Sequence, residues 1–195
     1  MSTADVQTGH TPEDLLTMPD AVSCELVDGE LVERNMGAVS SWVAARVLAL
    51  LSVVVERDSL GWLLGADGSY QCFGDDESRV RKPDVSFICR GRLPNETLPQ
   101  GHVRIAPDLA VEVVSPNDRY YEVQAKVVEY LTAGVRQVWV IDPDNRTVTV
   151  RVLDVDQPTE LREHDELTGG DVLPGFRCLV ADLFRSPVDE PNASD

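Results

Sequence analysis

Apolar positions change their period several times along the chain, and each change marks an element. Thr11-Pro12-Glu13-Asp14 supplies an N-cap, a first-turn proline and acids, predicting a short helix that runs to about Met18 and stops at Pro19. Cys24-Glu25-Leu26-Val27 and Glu30-Leu31-Val32-Glu33 alternate about Asp28-Gly29, which predicts a hairpin. From Ala38 to about Arg57, Trp42, Val43, Val47, Leu50, Leu51 and Val54 recur at three-and-four spacing, the pattern of a long helix. Strands are predicted at Gly61–Leu64, Ser69–Phe73 and Asp84–Cys89, followed by a proline-rich loop over 90–107. Leu109 to Val114 is almost continuously apolar, the mark of a central strand covered on both faces. Ser115-Pro116-Asn117-Asp118 caps a helix from about Arg119 to Ala133, closed by Gly134, and Val135–Ile141 is a further buried strand. Strand, helix and strand in this order imply a parallel pair with a right-handed crossover. The remainder predicts a hairpin about Asp144-Asn145, one or two more strands, a turn at Leu173-Pro174-Gly175-Phe176 and a short helix Leu179–Phe184.

The fold class is therefore α/β, a mixed and centrally parallel sheet flanked by helices, with an N-terminal hairpin and C-terminal strands. The 195 residues fit one domain over 1–187, with 188–195 expected as a disordered acidic tail. Composition is that of a globular chain, 43% apolar and 26% charged. No apolar run nears the ~20 residues of a membrane helix. No membrane partner is expected. Met1–His10 lacks a basic start and an apolar stretch, so it does not read as a secretory signal, and the expected location is cytoplasmic. Cys24, Cys72, Cys89 and Cys178 form no C-x-x-C pair, which points to reduced, half-buried thiols.

Charge alters the picture by its distribution. The net of −17 disfavours a polyanionic partner, yet residues 34–141 carry thirteen acids against twelve bases. Within them Arg79, Arg81, Lys82, Arg90 and Arg92 face only Asp84, a band compatible with nucleic acid or with a solvated charged face. Fifteen of the seventeen basic residues are Arg, which singles out Lys82 and Lys126, whose ammonium pKa can be tuned for chemistry.

Glu112 is the anomaly. Its neighbours from Leu109 to Val114 are apolar, so an ionised carboxylate there needs compensation: a buried Arg, a raised pKa or a divalent metal. Lys82-Pro83-Asp84 supplies a second carboxylate at the start of a strand. If that strand lies beside the Glu112 strand, two carboxylates converge on one hard cation, with water in the remaining positions as Mg²⁺ prefers. On a helical wheel Lys126 sits at the edge of the buried stripe Val123, Val127, Tyr130 and Leu131, where its ammonium either turns back toward the sheet or snorkels to solvent.

The element order resembles the core of the PD-(D/E)xK nuclease superfamily. Arg81-Lys82-Pro83-Asp84-Val85, Pro107 through Asp118, Lys126 with Glu129-Tyr130, Ala133-Gly134-Val135 through Val138-Trp139, the Glu25–Glu30 hairpin and Leu173-Pro174-Gly175-Phe176 together resemble the Uma-type putative restriction endonuclease family over about residues 20–185. The resemblance implies an endonuclease dependent on Mg²⁺ or Mn²⁺ and acting on nucleic acid, with DNA the expected substrate. Asp84 and Glu112 then hold the metal, and Lys126 positions the attacking water. The superfamily's lysine two residues after the strand glutamate is Val114 here, and Lys126 on the following helix is the match. A histidine common near the start of the long helix is replaced by Ser40 and Ser41. Paired strand cleavage by such folds makes a homodimer plausible.

The alternative is a catalytically silent nuclease-fold binding or regulatory module, to be recognised by Asp84 and Glu112 pointing apart or by Glu112 bridged to an arginine. Hydrolysis of another substrate by paired carboxylates calls for an aromatic-lined cleft, which 6% aromatic residues disfavour. Glu25 is read as an exposed hairpin carboxylate rather than a third ligand. Asp108, after Pro107, is read as a turn residue, and His10, His102 and His164 as surface positions.

Overall fold

The computed structural model describes residues 9–21, 23–34, 37–186 and 188. The predicted tail therefore lies, apart from Val188, outside the described residues. Helix α1 (Pro12–Thr17) begins where Asp14 accepts a hydrogen bond from the Thr11 N–H at 2.7 Å. Strands β1 (Cys24–Val27) and β2 (Glu30–Glu33) form the expected hairpin. Its turn needs positive φ at both central positions, and Asp28 (50°) and Gly29 (78°) provide it.

Helix α2 (Ala38–Asp58) is followed by β3 (Gly61–Gly65), β4 (Val85–Cys89) and β5 (Leu109–Val113). Helix α3 (Tyr120–Thr132) then leads to β6 (Gln137–Asp142), β7 (Thr147–Val152) and β8 (Thr159–Leu161). The six strands make one mixed sheet in the order β3-β4-β5-β6-β7-β8, in which β5 and β6 are the parallel pair and α3 is the connection between them. Strands β9 (Glu166–Gly169) and β10 (Leu173–Leu179) form a separate hairpin, closed by α4 (Val180–Leu183).

The central strands are buried because each face of the sheet has its own cover. Val111, Val113, Trp139 and Ile141 point to α2 and the β9–β10 hairpin, joining Val43, Val47, Leu51, Leu173 and Phe176 in the larger core. Ala110, Val138 and Val140 point the other way, onto Val123, Val127 and Tyr130 of α3. Alternation along β5 thus sends Glu112 to the α3 side.

Four expectations change. Ser69–Phe73 is not a strand: only Tyr70 pairs, antiparallel with Arg81 and parallel with Val103. Instead of extending a ladder, its Tyr70 packs in a satellite core and its Phe73 in the core beneath α3. Leu173-Pro174-Gly175-Phe176 does not reverse the chain. It is an irregularity inside β10, where Gly175 at φ 83° absorbs the bulge and the reversal comes earlier, between Gly169 and Leu173. His102 is buried, bonded through Nδ1 to Ser69 Oγ at 2.8 Å and through Nε2 to the Pro12 carbonyl at 2.7 Å. It ties α1 to the 90–107 loop. Finally, α2 is long and apolar enough by length and composition to cross a membrane, which the sequence reading overlooked because Arg46 interrupts it. Its Val43, Val47, Leu51 and Val54 stripe packs on the sheet, as a core helix does. The four cysteines are free, Cys24 buried and the others half-buried, as expected.

Candidate active site

The central sheet, α3 and the β1–β2 hairpin each contribute one part of the site. Val85 of β4 stands opposite Val111 of β5, so the same register carried one residue further sets Asp84 against Glu112. The Val113 N–H donates to Asp84 Oδ2 at 2.7 Å, fixing that carboxylate at the end of the strand pair. Glu112 is 7% exposed. Its Oε1 accepts from the Tyr130 hydroxyl at 2.7 Å, and its Oε2 lies 3.4 Å from Lys126 Nζ. Lys126 is therefore turned back toward the sheet, one helical turn before Tyr130 on the same edge of α3.

Glu25 corrects its expectation. It is 1% exposed, because the hairpin docks on the segment before β4 through paired main-chain bonds between Leu26 and Val80, both 2.9 Å. Its Oε2 meets Lys126 Nζ at 3.1 Å and Arg81 at 2.9 Å, and its Oε1 accepts from the Lys82 N–H at 2.8 Å. Arg81 in turn grips Glu129 with two parallel bonds of 2.7 and 2.8 Å. The basic band divides: Arg81 and Lys82 are buried and Arg79 pairs with Asp75, whereas Arg90 and Arg92 are exposed, with Arg92 paired to Asp108.

Electrostatics follow from this packing. Burial pushes the Glu112 carboxyl up from 4.5 to about 7, with Asp84 and Glu25 adding to the rise against the pull of Lys126 and Tyr130. Burial likewise raises Asp84, although the Val113 N–H, Arg34 and Lys126 oppose it. Glu25 goes the other way. Burial works against its charge, but Lys126, Arg81 and the Lys82 N–H outweigh it and hold the pKa below the usual value. Burial also works against the Lys126 ammonium, and Glu112 and Glu25 more than offset it, so the lysine stays charged.

Glu112 therefore carries a pH signature. A raised folded pKa favours folding fully below the unfolded value of 4.5, and that contribution is lost as pH rises through about 7. Urea unfolding in EDTA is expected to show wild type losing about 3 kcal/mol relative to Glu112→Gln between pH 4.5 and 8. Parallel pH profiles for the two proteins would refute the burial of this charge.

A cavity of about 360 Å³ opens on this cluster, lined by Glu25, Arg34, Arg81, Glu112, Lys126 and Glu129 among others. Asp84 lines a neighbouring cavity of about 210 Å³ under the start of α2, with Ser40, Ser41 and Ala66. Ser40 Oγ bonds Ser115 Oγ at 2.8 Å and accepts from the Gly37 N–H, pinning α2 to the chain just beyond β5. Another cavity, about 730 Å³, lies between α3 and β7–β8 and shares Val114, Asp118 and Val123 with the site. Its acids and bases largely answer one another, as Arg146 does Glu163. Asp108 sits at the far end of β5 from Val113, accepting from the Cys89 N–H at 2.8 Å and pairing with Arg92 and Arg136, a turn-holding role as expected.

Asp84, Glu112 and Lys126 are thus neighbours, and Glu112 is not bridged to an arginine. Asp84 is: Arg34 donates to its Oδ1 at 2.7 Å. No group of three or more His, Cys, Asp or Glu side chains is arranged as metal ligands among the described residues. The two carboxylates nonetheless fit a hard divalent cation. They are oxygen donors brought to the same end of the β4–β5 pair.

The fold is similar to that of a crystallised putative nuclease belonging to DUF820 from Anabaena variabilis ATCC 29413, at TM-score 0.74 and 21% identity over 89% of this chain and 97% of that one. The architecture is therefore the mixed α/β fold that this neighbour shares. Residues 12–181 match the model of the Uma2 family, described as putative restriction endonuclease, and the chain belongs to that family. No curated protein matches.

Proposed function

We propose that the chain is a divalent-metal-dependent endonuclease hydrolysing phosphodiester bonds of DNA, with Asp84 and Glu112 as the metal ligands and Lys126 as the third catalytic residue. The observation that carries this reading is the approach of Lys126 Nζ to 3.4 Å from Glu112 Oε2, at the end of β5 that also holds Asp84 through the Val113 N–H. A bound Mg²⁺ or Mn²⁺ would supply Lewis-acid polarisation of the phosphate and a more acidic water.

The chain's own residues do the rest. Lys126 is kept protonated by Glu112 and Glu25, which suits it to balance the negative charge that grows on the phosphorane rather than to remove a proton. Tyr130 holds Glu112 through Oε1 and leaves Oε2 facing the ammonium. Glu25 is a positioning residue: it holds Lys126 at 3.1 Å and is itself fixed by Arg81.

The test is incubation of the protein with supercoiled plasmid, and separately with a structured RNA, in Mg²⁺, Mn²⁺ or EDTA. Plasmid relaxation or linearisation that requires the metal and spares RNA is expected. Cleavage indifferent to EDTA would mean that the carboxylates act otherwise, and RNA cleavage alone would reassign the substrate.

A further inference from the structure

Arg34, which no motif singles out, stands at the wall between the two cavities. One guanidinium nitrogen donates to the Ala66 carbonyl and another to Asp84 Oδ1, each at 2.7 Å. Its side chain is 7% exposed and the Asp84 side chain 16%. Arg34 also lines the cavity that holds Glu112 and Lys126, so the guanidinium separates that cavity from the carboxylate. Asp84 Oδ2 is already taken by the Val113 N–H. Of the two Asp84 oxygens, Oδ1 thus faces the charged partner and Oδ2 a single neutral donor, so the guanidinium is the group that contests the carboxylate's charge.

We propose that Arg34 competes with the divalent cation for Asp84, so that metal loading displaces the guanidinium from Oδ1 toward the cavity it shares with Lys126. This inference rests on the reading of Asp84 and Glu112 as ligands. A cation and a guanidinium on the same carboxylate would repel one another in a largely buried setting, where screening is weak. The ion pair also neutralises Asp84 in the metal-free protein, which lowers the gain from binding a metal there. An anion that receives the displaced guanidinium, such as a phosphodiester, therefore raises cation affinity, and by reciprocity the cation raises affinity for the anion.

Arg34 is thus a positioning residue whose effect is read in metal binding, without turnover. Free Mn²⁺ is titrated by its electron paramagnetic resonance signal against the full chain as wild type, Arg34→Gln, Arg34→Lys and Asp84→Asn. Arg34→Gln is expected to bind Mn²⁺ about tenfold tighter than wild type, since a charge-assisted bond no longer has to be broken. Arg34→Lys, which loses the fork but keeps a charge, is expected to show a smaller gain, and Asp84→Asn to lose binding. Equal or weaker affinity in both Arg34 variants, with Asp84→Asn still inactive in binding, overturns the competition and leaves the ligand reading intact. Should Arg34→Gln fail to give a cooperative melt, Arg34→Lys alone decides by the same comparison. Unchanged binding in Asp84→Asn, or no binding by any variant, overturns the ligand assignment and the competition together.

Discussion

Glu112→Gln is expected to reduce metal-dependent DNA cleavage by about 10³-fold or more while leaving a cooperative melt at or above the wild-type Tm. The two effects have opposite signs for one reason. Glutamine keeps the shape and can accept the Tyr130 hydroxyl bond at Oε1, so the packing of β5 against α3 survives. What it removes is a carboxylate that burial and two neighbouring acids make costly to ionise, hence no loss of stability near pH 7. The same loss of charge removes a hard oxygen ligand and one of the two partners of Lys126. Initial rates on plasmid at saturating Mn²⁺, beside thermal melts of both proteins, measure the pair of effects. A variant that cleaves within tenfold of wild type refutes the ligand role of Glu112.

Arg81→Met is expected to be the most destabilising single substitution in the site, by about 3–5 kcal/mol, or about 10 °C in Tm for a chain of this size. Arg81 is 6% exposed and bridges Glu25 of the hairpin to Glu129 of α3. Methionine fills much of the stem's volume but strands two acids, one of them completely enclosed. The double variant Arg81→Met with Glu25→Gln is therefore expected to be more stable than Arg81→Met alone, because the buried charge left without its arginine partner is gone. Urea midpoints of wild type, the two single variants and the double variant test this, and an additive double variant would show that the loss is one of packing rather than of buried charge.

Much of the fold was readable because the sheet is covered on both faces. A strand with apolar residues at every position but one makes that one conspicuous, and so Glu112 stood out. Lys126 followed from the wheel of α3, since its place at the stripe's edge is a property of the helix alone. Asp84 needed only the pairing of β4 with β5. Glu25 was missed although it too interrupts an apolar run, because a four-residue strand in a two-stranded hairpin ordinarily keeps one face in water. The hairpin's docking on Val80 removes that face, and nothing near Glu25 in the chain announces a partner at Arg81. Arg34 was hidden for a similar reason: its partners lie 32 and 50 positions away in Ala66 and Asp84. The Ser69–Phe73 strand failed in the other direction, its alternation being real but spent on side-chain packing. Charge counts carry no direction, and so the division of the basic band into buried Arg81 and Lys82 and exposed Arg90 and Arg92 could not be read from them.

The β1–β2 hairpin lies outside the six-stranded sheet and meets the segment ahead of β4 through the reciprocal Leu26–Val80 bonds. A small unit held this way opens at lower free energy than the sheet itself. Each such opening would withdraw Glu25 from Lys126 and Arg81 while leaving Glu112 and Asp84 in register. In that event the Lys126 ammonium would lose one of its two carboxylate partners with the six-stranded sheet unchanged.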